Sequence, residues 1–189
     1  MAESGTELVF ESPITKSYPA AGGDGLRLTD LSATTKVIVR AESTGAAQRQ
    51  LAVAFGASRQ SGDVLICGQR PTEWLILGDG GAVADFVAGL DRSGHVSVVD
   101  HTHSRALFRL SGDTATSLLE KICSLDWGET MTPNGAVLSA SIAKTGCDII
   151  RNDTEGARSY LIACDRSFAQ FLFDAIVDAG QEFEIAVAG

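Results

Sequence analysis

The stretch VVDHTHSRALFRLSGDTATSLLEKICSLD, Val98 to Asp126, decides the fold. Its opening residues end an apolar, β-branched run, HVSVVD (95–100), that reads as a strand. SRALFRLSG (104–112) reads as a second strand. At Asp113 the period changes. Ala115, Leu118, Leu119, Ile122 and Leu125 fall on one helical face, and Asp113 is placed to cap a helix over 113–125. Between the strands stand His101 and His103, two of the three histidines, beside Asp100. On a strand both imidazoles point to one face, with Asp100 and Thr102 on the other.

Upstream, KVIVRAE (36–42), LAVAFGA (51–57), DVLICG (63–68) and EWLILG (73–78) read as strands. A helix is predicted from Ala82 to Leu90, with Val83, Phe86, Val87 and Leu90 on one face and Asp79 near its cap. Downstream, AVLSASIAK (136–144), CDIIRND (147–153), SYLIAC (159–164) and EFEIAV (182–187) are predicted strands. DRSFAQFLFDAIVDAG (165–180) is the clearest helix, with Phe168, Phe171, Leu172, Ala175 and Ile176 along its apolar face and Gly180 as a left-handed stop.

The two halves repeat each other. Asp63-Val64-Leu65 matches Asp148-Ile149-Ile150 at an offset of 85 residues. Trp74 to Asp79 matches Tyr160 to Asp165 at an offset of 86. Asp30 to Arg40 resembles Asp100 to Arg109 at an offset near 70, so the first half reads as lacking a helix equivalent to 113–125. The expected fold class is α+β: two pseudo-repeated split β-α-β (ferredoxin-like) halves sharing one core. Residues 1–28, rich in Gly, Ser and Ala, read as an extended N-terminal arm that needs a partner surface to become ordered. Residues 29–189 form a single domain with halves of about 29–98 and 99–189. The arm's apolar cluster, Leu8, Val9 and Phe10, suits either a neighbouring chain or this domain's own surface.

Composition narrows the function. The formal net charge is −9, with no basic stripe of the kind that binds nucleic acid or an anionic membrane. No run approaches the roughly 18 apolar residues that span a bilayer. MAESGTELVFESPITK does not read as an export signal, and the expected location is cytoplasmic. Cys67, Cys123, Cys147 and Cys164 lack paired spacing, which argues against a zinc ribbon and for reduced, buried thiols.

Several motifs imitate chemistry. GDGGAV (78–83) follows a strand and opens a helix, but Val83 stands where a dinucleotide fingerprint needs its third glycine, and the equivalent turn CDRSF has no glycine. In KTGCDII (144–150), Cys147 sits beside Asp148, which raises a thiol pKa rather than activating it; a strand-edge residue is the better reading. His101 and His103 would need further ligands to hold zinc, and no spacing selects them. There is no GxSxG elbow. No residue is singled out as catalytic, cofactor-binding or metal-binding.

The opening stretch also resembles a family signature, V-x-D-x-S-H-x-x-x-x-x-R-L-S-G-x-x-A-x-x-L-L, carried here by Val98, Asp100, Thr102, His103, Arg109, Leu110, Ser111, Gly112, Ala115, Leu118 and Leu119. RPTEWLIL (70–77), CSLD (123–126), DRSFAQFLFDAI (165–176) and Ser12-Pro13 extend the match. The signature is similar to that of the gamma subunit of heterotetrameric sarcosine oxidase and, more distantly, to the folate-binding domain of the glycine-cleavage aminomethyltransferase. It departs from the pattern at Thr102, where serine is usual, and at Trp127 with its polar run. The resemblance implies a non-catalytic subunit supporting assembly with alpha, beta and delta subunits. It places FAD, FMN, NAD, tetrahydrofolate and zinc on those partners. The complex would oxidatively demethylate sarcosine to glycine, passing the one-carbon unit to tetrahydrofolate and electrons to oxygen. Asp148 lies near where the aminomethyltransferase carries functional aspartates, although the G-x-x-D-D pattern is incomplete. The competing reading is a stand-alone folate-binding one-carbon transfer protein. On the subunit reading His103 sits at a turn or subunit contact, and Arg109 pairs with a carboxylate or binds a neighbouring chain.

Overall fold

The computed structural model describes residues 9–19, 25–154 and 156–188. In chain order the elements are β1 (Leu26–Asp30), β2 (Thr35–Ala41), α1 (Ala46–Leu51), β3 (Ser58–Ser61), β4 (Val64–Arg70), β5 (Glu73–Gly78), α2 (Gly80–Ala88) and β6 (Val96–Asp100). Then follow β7 (Arg105–Gly112), α3 (Ala115–Ile122), β8 (Val137–Ile142), β9 (Thr145–Arg151), β10 (Ser159–Asp165), α4 (Ala169–Gly180) and β11 (Ala186–Ala188). The strands form a five-stranded sheet, β3-β4-β5-β2-β6, and a six-stranded sheet, β11-β1-β7-β10-β9-β8. The fold is mixed α+β.

Period-two alternation sorts the side chains into layers. On β2, Val37 and Val39 pack with Ala47 and Leu51 of α1 and Val83 and Val87 of α2. On β7 and β10, Phe108, Leu110 and Ile162 pack with Leu118 of α3 and Leu172 and Ile176 of α4. The alternate residues, Ile38, Leu65, Leu75 and Leu77 from one sheet and Leu107, Ile150 and Leu161 from the other, form a third cluster. The two sheets therefore meet face to face, with a helical layer outside each. β1 ties the halves together. It comes first in the chain, yet it pairs with β7 (antiparallel) and β11 (parallel) in the six-stranded sheet.

The structure corrects several sequence readings. Residues 51–57 are not a strand: α1 ends at Leu51, Ala52 turns left-handed (φ 48°), and Phe55 projects into solvent. The helix is held by Ala47 and Leu51, both buried one turn apart. A helix thus stands where the first half reads as having none. α3 is shorter than 113–125, and its N-cap residue is Thr114, with no side-chain cap from Asp113. Residues 166–168 form a 3₁₀ turn before α4. The stripe that α4 buries is Ala169, Leu172, Phe173 and Ile176; Phe168 and Phe171 are 52% and 56% exposed. Two overlapping apolar stripes fit the helical period, and Phe173, edge-on to Phe108 at 5.1 Å, selects the deeper one. Gly180 is right-handed (φ −85°). It is needed for space instead, because a Cβ there would lie 2.7 Å from Ile185 Cδ1. The strand expected at 182–187 starts later, at Ala186.

Trp127, a departure from the family pattern, is buried and stands edge-on to Tyr160 at 5.3 Å. The loop after α3 thereby extends the core. Of the N-terminal arm, residues 9–19 lie along α4. Thr15 N donates to Gln170 Oε1 (2.8 Å), Tyr18 OH donates to Asp174 Oδ1 (2.6 Å), and Ile14 and Tyr18 pack on the core. Burial, then the Asp174 carboxylate, pushes the Tyr18 hydroxyl up to about 12. Phe10 also turns back onto the domain, Val9 is exposed, and Leu8 lies outside the described residues.

Candidate functional site

Polar groups interrupt the apolar layer between the sheets. Strand alternation places Arg105 of β7 and Asp148 of β9 on the inner face of the six-stranded sheet, on either side of β10. Arg105 Nη1 donates to Asp148 Oδ2 at 2.5 Å, and Nη2 donates to Ala163 O at 3.1 Å. Ser139 Oγ on β8 donates to Asp148 Oδ1 at 2.8 Å. Both carboxylate oxygens are engaged, and the two side chains are 15% and 11% exposed. Such a carboxylate is held as a structural partner and is poorly placed to accept a proton from a ligand.

Beside Arg105 opens a broad cavity of about 880 Å³, lined among others by Ile38, His101, His103 and Arg166. The histidines are not on a strand. Thr102 N donates to Asp100 Oδ1 (2.7 Å), and the Ser104 and Arg105 amides both donate to His101 O, closing a turn over 101–104. His101 Nδ1 lies 2.9 Å from Ser104 Oγ. His103 packs on Phe10 of the arm, with ring centroids 5.6 Å apart. Arg166 stacks on the same Phe10 ring, and its Nη2 donates to Glu11 O. His95 sits at the opposite end of β6. Among the described residues, no three His, Cys, Asp or Glu side chains gather as metal ligands would.

Lys36 escaped the sequence reading. It is fully buried on the inner face of β2, and its Nζ donates to Ser32 O (2.7 Å) and Thr34 O (2.6 Å). Burial lowers its pKa to about 8, with Asp100 and Asp30 offsetting part of that fall. The only signal in the sequence was a lysine opening an otherwise apolar run.

Arg109 is placed differently from expectation. Among the described residues no carboxylate pairs with it. Nη1 donates to Ser159 Oγ (2.7 Å) and Asn152 O (3.2 Å), and Nη2 donates to Asn152 Oδ1 (3.1 Å). Burial lowers its pKa. A carboxylate partner is a reasonable inference from charge alone, but β10 presents Leu161 opposite Arg109, and the guanidinium reaches the Ser159 hydroxyl two residues along that strand instead.

The decoy motifs resolve into structure. Asp79 caps α2, accepting from Gly81 N at 2.9 Å. Gly78 is required because a Cβ there would lie 2.7 Å from Asp63 O. Cys147 Sγ donates to Thr145 O (3.3 Å), and burial, then neighbouring Cys164, pushes its thiol up to about 12.

The profile of the GCVT N-terminal domain matches residues 56–189. The chain belongs to the GCVT N-terminal domain family. A solved structure of heterotetrameric sarcosine oxidase from Corynebacterium sp. U-96, in complex with pyrrole 2-carboxylate, contains a chain similar to this one at TM-score 0.75 and 21% identity, covering 87% of this chain and 89% of that one. The glycine cleavage system aminomethyltransferase T from Bartonella henselae is similar at TM-score 0.65 and 16% identity. That alignment covers 87% of this chain and 48% of the aminomethyltransferase, so this GCVT-family chain spans about half its length. No curated protein sequence matches significantly. At these identities the likeness is one of fold. No helix among the described residues is long and apolar enough to cross a membrane.

Proposed function

We propose that the chain is a non-catalytic, gamma-type subunit of a heterotetrameric sarcosine oxidase-like flavoenzyme, supporting its assembly in the cytoplasm. The observation that carries this reading is the Arg105–Asp148–Ser139 cluster. The one aspartate near the aminomethyltransferase's functional position has both oxygens committed within the chain. Tetrahydrofolate therefore does not fit here as a resident reactant, since the carboxylate it would need is an arginine's partner. The nearly end-to-end likeness to a chain of the Corynebacterium enzyme supports the same reading. On this proposal FAD, FMN, NAD, tetrahydrofolate and zinc belong to alpha, beta and delta partners. We also read the two sheets as copies of one unit, with α1 and α2 in one and α3 and α4 in the other.

Co-expression with the neighbouring genes and purification through a tag on this chain alone tests the proposal. A yellow complex with a large, a medium and a very small partner is expected. A colourless monomer with saturable affinity for a reduced folate would overturn it in favour of a stand-alone one-carbon transfer protein.

A further inference from the structure

We propose that Arg109 anchors a binding site for a small monocarboxylate in the cavity between the two sheets. The cavity measures about 190 Å³ and is walled by Leu65, Leu77, Leu107 and Leu161. Arg109 and Asn152 supply its polar side, with Thr34 nearby. The three hydrogen bonds of Arg109 leave one N–H on Nη2 and the one on Nε without partners among the described residues. A guanidinium carries five such donors, and those two form the edge that grips a carboxylate side-on. All three groups that Arg109 does meet are neutral oxygens, so among the described residues no carboxylate pairs with the cation, at a wall that leucines share with Thr34, Gln60, Asp63 and Asn152. Arg109 is half-buried, and a partly desolvated cation met only by neutral oxygens gains from an anion that enters here.

The walls set the ligand's other properties. Leucine side chains surround the space beyond the guanidinium, which suits a short branched or cyclic hydrocarbon tail. The volume excludes anything of cofactor size. Asp63 also lines the cavity without pairing to Arg109, and an acidic side chain there disfavours a second negative group on the ligand. The site thus selects one carboxylate on a compact apolar body. It goes beyond the subunit reading, because it gives a chain without catalytic groups a small-molecule site of its own.

Isobutyrate is a suitable probe, with isobutyramide as its neutral isostere and sodium chloride holding ionic strength constant. Titration of the full chain, followed by methyl shifts of Leu107 and Leu161, is expected to saturate with a Kd on the order of 1 mM, the range open to so small a ligand. Isobutyramide is expected to bind at least about tenfold more weakly, as is isobutyrate to Arg109→Gln, while Arg109→Lys retains part of the affinity. The amide comparison uses only the wild-type chain, so it stands even if a variant fails to fold. No saturation, equal binding of the amide, displacement by chloride alone, or shifts confined to the Arg166 cavity would each overturn the proposal. So would loss of the site in the co-purified assembly, which would make a partner chain's carboxylate the occupant.

Discussion

Replacing Arg105 with methionine strands Asp148 between two sheets with only Ser139 to answer its charge. The pair is 15% and 11% exposed, which puts it in the class where removing one partner costs about 3–5 kcal/mol. Ser139 still donates to Oδ1. The lower end, about 3 kcal/mol, is therefore expected for Arg105→Met, corresponding to a fall in Tm of roughly 6–12 °C for a chain of this size. Asp148→Leu alone is expected to cost a similar amount, because Arg105 would keep only Ala163 O. The double variant removes both charges and fills the space with apolar side chains, so it should return to within about 1–2 kcal/mol of wild type. Urea unfolding of the four proteins measures the coupling directly. A cost below about 1 kcal/mol for Arg105→Met, or a double variant as unstable as the sum of the singles, would refute the placement of this pair. It would also remove the ground for treating Asp148 as a structural carboxylate.

Lys36 has a folded pKa near 8 against an ordinary value of 10.5, so the unfolded chain holds its proton where the native chain has lost it. Stability from this group rises between pH 8 and pH 10.5 by up to about 3 kcal/mol. The stability of Lys36→Met relative to wild type should fall by about that amount across the window, as followed by urea midpoints; an unchanged gap would show Lys36 to be solvated. All four cysteines are buried, with the Cys147 thiol pushed up to about 12 and Cys164 to about 11, in each case chiefly by burial. Ellman's reagent at pH 8 should react only as fast as the chain opens, and a rapid native thiol would contradict the packing. On α4, Phe171→Ser should change stability by no more than about 0.5 kcal/mol, whereas Leu172→Ala should cost about 2–5 kcal/mol. The reverse order in thermal melts would restore the helix face read from sequence.

Strands carried the clearest signal in this sequence. β4, β5, β7 and β10 are runs of apolar, β-branched residues bounded by turn chemistry, and each lies within a residue or two of its predicted span. Their burial on both faces explains why continuous runs, rather than alternation, marked them. Local pattern failed where tertiary contact decided. Nothing in LAVAFGA announces that Leu51 ends a helix, because α1 is too short for a periodic stripe and is held by the sheet beneath it. The choice between Phe171 and Phe173 as the buried residue of α4 rests on Phe108, more than sixty residues away. The break between the strands at 100 and 104 was legible, and the structure adds its cause: Asp100 accepts from Thr102 N and bends the segment into the turn over 101–104. Arg105 and Asp148 meet only because β10 separates β7 from β9 by one strand.

Lys36, Arg105 and Arg109 reach the layer between the sheets in a chain whose net charge is −9. The way each is answered separates architecture from opportunity. Arg105 has a carboxylate of its own, which Ser139 fixes from the other side. Lys36 has no carboxylate in contact among the described residues, but its ammonium is gripped by two carbonyls of the β1–β2 connection, and its lowered pKa registers the remaining cost. Both have their charge answered from within and pin elements together, although the Arg105 Nε–H is buried without a partner among the described residues. Among the described residues Arg109 is answered only by a serine hydroxyl, an asparagine carbonyl and an asparagine side chain, and it borders a cavity. If its role were to stabilise the β7–β10 pairing alone, a neutral glutamine would serve with less desolvation. The charge makes physical sense when something anionic enters from outside, which is why a ligand experiment at Arg109 discriminates more sharply than further mutagenesis of the other two.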